Sequence, residues 1–151
     1  MFNKNYYNKF VKINDCTYGA VIEEGAQKLD KIINLCDTKN LCVQAGSNFG
    51  IFPHYISTFF NQVLTFEPSK ILYDMSVVNL KSCNNIKLLN AGLFEKKCTG
   101  TMHFDKQNCG ASYMSTLSGD TDLVTIDSIM EDYNDCNLIY LDIEGMEYQA
   151  L

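Results

Sequence analysis

The sequence predicts an α/β fold built on a parallel sheet. Three observations predict it: short apolar runs alternate with helical stretches, a glycine turn follows the first run, and polar residues punctuate the ends of the later ones. At 151 residues the chain has the length of one domain. With 46% hydrophobic residues it can bury a core without disulfide or metal staples.

Residues 1–18 show no clear period and are expected to form a loose arm or a lid. From Ala20 to Cys36, Ile22, Ala26, Leu29, Ile33 and Cys36 recur at helical spacing, with Glu23, Glu24, Lys28, Asp30 and Lys31 on the other faces. This is a helix packed on a sheet. A polar turn, Asp37-Thr38-Lys39-Asn40, leads into a strand over 41–45, which Gly46-Ser47-Asn48-Phe49-Gly50 breaks sharply. A second helix follows over 51–60, and Pro53 is tolerated in its first turn, where an N–H would lack a partner anyway. A strand over 63–66 ends in Glu67-Pro68. The spacing of Leu72, Met75 and Val78 predicts a helix over 69–81 with Ser69 as N-cap, and a third strand covers 86–89. Residues 93–126 change character. Short strands at 101–104 and 123–126 flank a polar, glycine-bearing loop, an insertion of the kind that is usually functional. Asp127 caps a short helix over 128–131, and the apolar strand 137–141 ends in Asp142-Ile143-Glu144-Gly145.

Several function classes are disfavoured. The net charge is −6, and all 12 cationic side chains are lysines, so the chain lacks the basic face that nucleic acid requires. The 7 cysteines form no C-x-x-C, and His54 and His103 stand far apart, so no metal site is expected. Thiols without a disulfide pattern, no signal peptide and no apolar run long enough to cross a bilayer point to the cytoplasm, without a membrane span.

Ligands of open parallel sheets sit beyond the carboxyl ends of the strands. There the glycines of Gly46-Ser47-Asn48-Phe49-Gly50 allow close backbone approach, but in a G-x-x-x-G spacing that differs from the dinucleotide G-x-G-x-x-G. A nicotinamide-type dehydrogenase domain is correspondingly disfavoured, and the phosphate-binding G-x-x-x-x-G-K-[S/T] is absent. Glu67 lies 21 residues past Gly46, where an acid accepts hydrogen bonds from ribose hydroxyls. A solvated Glu at a strand end is an equally common reading of that residue alone. Together the two features favour a nucleoside ligand without a pyrophosphate, and S-adenosylmethionine fits, its sulfonium cation suiting an acidic protein.

The segments Val43-Gln44-Ala45-Gly46-Ser47-Asn48-Phe49-Gly50, Thr65-Phe66-Glu67-Pro68, Asn79-Leu80 and Leu141-Asp142-Ile143-Glu144-Gly145-Met146-Glu147 resemble, in order, the motifs of the FkbM family of class I, S-adenosylmethionine-dependent methyltransferases. The resemblance runs from about Leu41 to Leu151. It implies a Rossmann-like sheet ordered 3-2-1-4-5-7-6, of which this chain supplies the first four strands plus a small β insertion before the fourth. The domain is thus expected to span 38–151 and to be incomplete at its C-terminus, after an N-terminal arm and helix over 1–37. The fourth strand is expected at an exposed edge, where another copy of the chain could associate.

The resemblance also implies methyl transfer to a hydroxyl of a sugar, glycan or small molecule. By the same resemblance Gln44, Gly46, Asn48 and Gly50 serve the methionine end of the cofactor, Glu67 the ribose, and Asn90 and Ala91 the adenine. Gln44 stands where the family usually has Asp; an amide accepts from an ammonium more weakly than a carboxylate. Asp142 and Glu144 are the candidate catalytic carboxylates, although an acid at a helix start also pairs with the helix dipole. Asn108, Gly110 and Ser112 resemble the family's N-x-G-x-S segment and are assigned to substrate. The competing class is a degenerate nucleoside-binding module within a larger assembly.

Overall fold

The computed structural model describes residues 2–13, 20–105, 107–108, 111–115 and 119–151. Parallel strands need a crossover connection of a dozen or more residues, and helices supply it here. That is the order found: α1 (Lys4–Tyr7), α2 (Ala20–Ile33), β1 (Leu41–Ala45), α3 (Ile51–Ser57), β2 (Gln62–Phe66), α4 (Lys70–Leu80) and β3 (Ile86–Leu89). The insertion contributes β4 (Gly92–Leu93), β5 (Cys98–His103), β6 (Tyr113–Ser115) and β7 (Thr121–Val124). Then come α5 (Ile126–Met130), β8 (Leu138–Leu141) and α6 (Glu147–Ala150).

The main sheet is parallel with order β3-β2-β1-β8, so the fourth long strand lies beside the first and occupies an edge, as the resemblance implies. Its Ile139 is 42% exposed. The insertion folds into a second sheet, β4-β7-β5-β6, in which only the β4–β7 pair is parallel.

The pleat of β1 divides the core. Cys42 faces a cluster with Ala26, Leu29 and Ile33 of α2 and with Ile51, Tyr55 and Ile56 of α3. Leu41, Val43 and Ala45 face the opposite cluster, which holds Leu64, Phe66, Ala91 and Leu93. Burial on both faces explains the unbroken apolar run of this strand.

Three local expectations need correction, and a fourth is met only in position. Residues 2–13 are not a loose arm. Tyr7 and Phe10 are 4% and 6% exposed, inside the same core as α2 and β1, and the Tyr7 hydroxyl lies 3.1 Å from His54 Nδ1. Aromatic residues this close together need no helical period to be buried, which is why periodicity missed them. The second correction concerns α5, whose cap is Thr125, with its hydroxyl accepting from Ser128 N, whereas Asp127 sits in the first turn. Ser69 is the N-cap of α4 as expected, although its side chain makes no capping bond; its N–H donates to Glu67. Finally, β6 lies inside the stretch expected to be loop, because three residues are too few to show alternation.

Because Phe10 fills the α2–α3 core, Phe10→Ala is expected to destabilise the chain by about 3 kcal/mol. Urea unfolding measures this. A loss under about 1 kcal/mol would show that the N-terminal segment is a passive appendage.

Candidate active site

The strand register sets the site. Ala45, Phe66 and Leu141 are cross-strand partners at the ends of β1, β2 and β8, and Leu89 of β3 pairs with Phe66. The next residue of each strand, Gly46, Glu67, Asp142 and Asn90, therefore stands in one row along the carboxyl edge of the sheet.

The turn after β1 is held by the neighbouring strand. The N–H groups of Gly46 and Ser47 both donate to Phe66 O, at 3.0 and 3.1 Å, and Gly50 N donates to Ser47 O at 2.7 Å. Gly46, Asn48 and Gly50 have φ of 82°, 50° and 89°, left-handed values that glycine and asparagine tolerate best. The turn directs Asn48 N onto Glu67 Oε2 at 2.8 Å, and Ser69 N donates to Glu67 Oε1 at 3.0 Å. Glu67 is 3% exposed. Burial pushes its carboxyl up to about 7, against the downward pull of the Ser69 and Asn48 N–H groups. Each oxygen has one such protein donor and lone pairs left to accept another.

On the other side, Asp142 N donates to Ala45 O at 3.1 Å, which brings the carbonyl of Asp142 against Gly46. Asp142 is exposed at the mouth of the cleft, yet partial desolvation and then the nearby Glu147 raise its carboxyl above the usual range. Glu144, at φ 54°, is raised by desolvation and then by Asp142 and Glu147. Glu147 behaves differently. Desolvation raises it, but backbone N–H groups outweigh that and hold it low, and its oxygens accept from Ile143 N at 2.9 Å and Gly145 N at 3.0 Å. Glu147 thus ties off the turn, and Asp142 and Glu144 are left to face the cleft.

The cleft between these edges and the insertion encloses about 760 Å³ of empty space, part of it open to solvent. Of the residues singled out in the sequence, Gly46, Asn48, Glu67, Ala91, Ser112, Asp142 and Glu144 line it. Gln44 does not: its side chain is fully buried, donates to Ala45 O and Gly46 O at 2.9 and 3.0 Å, and accepts from the Thr65 hydroxyl. Gly50, at the end of the turn, packs against the Leu80 side chain and does not line the cleft. Asn90 is exposed and donates to Glu67 O at 2.7 Å, holding the end of β2. Asn108 stands off the cleft with its Oδ1 unpartnered, and Gly110 lies outside the described residues.

The walls that sequence reasoning missed are apolar. Phe52 and Leu72 come from α3 and α4, Met102, Tyr113 and Met114 from the insertion, and Ile143 and Met146 from the turn after β8. The alternation of 101–104 could have pointed Met102 inward; no sequence signal marked Met114. His103 does not line the cleft itself; it stacks on Tyr113, which does, at 4.7 Å and lies 3.0 Å from the Ser115 hydroxyl. Among the described residues no group of acids, His and Cys is arranged to hold a metal, and no Lys or His lines the cleft.

The Methyltransferase FkbM domain matches residues 44–151, more than half of the chain and all of the carboxyl edge described above. The chain belongs to the FkbM methyltransferase family. No curated protein matches it. Among solved structures it is similar to an rRNA methylase from Streptococcus thermophilus, at 16% identity and TM-score 0.40, covering 44% of this chain and 41% of that one. It is similar to SMU.1697c from Streptococcus mutans, solved in complex with SAH, at 16% identity and TM-score 0.41, covering 44% and 39%. A third is the phosphoethanolamine N-methyltransferase 1 of Haemonchus contortus, at 14% identity and TM-score 0.39, covering 62% and 22%. The FkbM chain thus spans between 22% and 41% of the length of these solved chains. No helix among its described residues is long and apolar enough to cross a membrane.

Proposed function

We propose that residues 38–151 form an S-adenosylmethionine-binding domain that methylates a hydroxyl of a sugar, glycan or small molecule, preceded by an N-terminal arm and helix over residues 1–37. One observation carries this reading. Glu67 is a buried carboxylate at the end of β2 that lines the cleft and accepts one backbone N–H on each oxygen, which leaves both oxygens lone pairs to spare. A diol is the ligand chemistry that satisfies two such oxygens, and the ribose of a nucleoside supplies it. Three carboxylates and no Lys or His among the described lining residues suit a cation better than a phosphate.

When bound, S-adenosylmethionine supplies an electrophilic methyl on a sulfonium. In this reading Gly46 and Asn48 shape the turn against its amino-acid end, and Ala91 borders the base. Asp142, beside Gly46, would orient the acceptor hydroxyl and take up the proton that it loses, with Glu144 as its neighbour. A raised carboxyl is a better base than an ordinary one once ionised, and alignment supplies much of the remaining rate.

The test is transfer of labelled methyl from S-adenosylmethionine to a panel of neutral sugars, glycolipids and phenols. Wild type should label at least one, and Asp142→Asn should label it about 100-fold more slowly. Cofactor binding without transfer to any acceptor would favour the degenerate binding module over the enzyme.

A further inference from the structure

Helix α4 bears a face of Leu72, Ser76, Asn79 and Leu80, spaced so that all four side chains share one side. That face carries the glycine turn. The Ser76 hydroxyl donates to Asn48 O at 2.6 Å, Asn79 Nδ2 donates to Phe49 O at 2.8 Å, and the Leu80 side chain fills the space in which a Cβ on Gly50 would sit. Three consecutive residues of the turn therefore rest on one helix.

Asn79 does more than this. Its Oδ1 accepts from Val11 N at 2.7 Å and its Nδ2 donates to Val11 O at 2.8 Å. Both amide protons are thus committed, one to the N-terminal segment and one to the turn. Two residues beyond Val11, Ile13 packs against Phe49 of the turn and Leu72 of the cleft wall, with Met75 and Phe104. The N-terminal segment forms a strap behind the turn, and it lies wholly before residue 44, where the family match begins.

We infer that Asn79 is a positioning residue that makes the N-terminal strap part of the cofactor site. Strap docking holds the Gly46–Gly50 turn in its binding shape, and by reciprocity an occupied turn holds the strap. The inference rests on the cofactor reading above, since the occupant of the turn is taken to be S-adenosylmethionine.

Amide hydrogen exchange and S-adenosylmethionine titration on the full chain test it. Without ligand, Asn79→Ala and Ile13→Ala should each speed exchange at the Asn48 and Gly50 amides by about tenfold. Ile13 is only partly buried, so that variant keeps the core intact. Asn79→Ala should weaken S-adenosylmethionine by about five- to tenfold. Saturating cofactor should slow exchange at the Val11 amide of wild type several-fold and leave it unchanged in Asn79→Ala, an effect a merely structural amide would not produce. Turn amides indifferent to both substitutions, or a Val11 amide indifferent to cofactor that does bind, would overturn the inference. A wild type that binds no cofactor while its turn amides still respond would overturn the cofactor reading and uphold the strap–turn coupling.

Discussion

Gly46→Ala is expected to destabilise the protein by about 3–5 kcal/mol. Two costs add. An L side chain at φ 82° is strained by roughly 1–2 kcal/mol. The new Cβ would also lie 2.0 Å from Asp142 O, a backbone atom that cannot rotate away. The end of β8 must then retreat from β1, which breaks the bond from Asp142 N to Ala45 O. Against a total stability of about 5–15 kcal/mol this loss is severe, and at about 3 °C per kcal/mol it lowers the melting midpoint by about 10 °C or more. Thermal unfolding followed by circular dichroism measures it. A drop of less than about 3 °C would mean that β8 does not pack against the glycine turn as described.

Glu67→Ala is expected to weaken S-adenosylmethionine by about 3 kcal/mol, on the order of 100-fold, because two hydrogen bonds to a charged acceptor disappear together. Calorimetric titration reads the change directly, and unchanged affinity would remove the ribose role. The same residue makes a pH prediction. Burial raises its folded carboxyl to about 7 from a normal value near 4.5. Between those values the folded chain keeps a proton that the unfolded chain has released. Stability from this group therefore falls as pH rises through the window, by about 3 kcal/mol in all, and is flat above it. Glu67→Gln should flatten that slope. Ribose hydroxyls donate to the ionised form, so cofactor affinity should move the other way and strengthen as pH rises towards 7.

The framework of the fold was legible because its signals are local and strong. The strands over 41–45 and 86–89 match β1 and β3, each being an apolar run between polar turns. The helix from Ala20 showed its buried stripe through Ala26, Leu29 and Ile33, although it ends at Ile33 and not Cys36. The position of β8 beside β1 followed from the family resemblance alone, since no local pattern encodes strand order.

That the turn and Glu67 line the cleft was readable, because glycine spacing and a strand-end acid have a mechanism behind them. What side chains do to one another was not. Gln44 sits one residue from the cleft lining, yet it spends its amide on Ala45 O, Gly46 O and Thr65, a bonding pattern that depends on the neighbouring strand. Asn90 likewise buttresses Glu67 O from outside the cleft. Asn79 could be recognised as part of a motif, but its purpose needed the strap, which approaches from 68 residues away in sequence. Met102 and Met114 reach the cleft only because the second sheet folds over the first.

One titration decides whether the row of Gly46, Glu67 and Asp142 forms a cofactor site. Wild-type protein is titrated calorimetrically with S-adenosylmethionine at pH 6 and pH 8, beside Glu67→Ala. Wild type is expected to give a saturable heat, with tighter binding at pH 8 than at pH 6, and the variant an affinity about 100-fold weaker. Folded wild type that gives no heat at millimolar cofactor would contradict it.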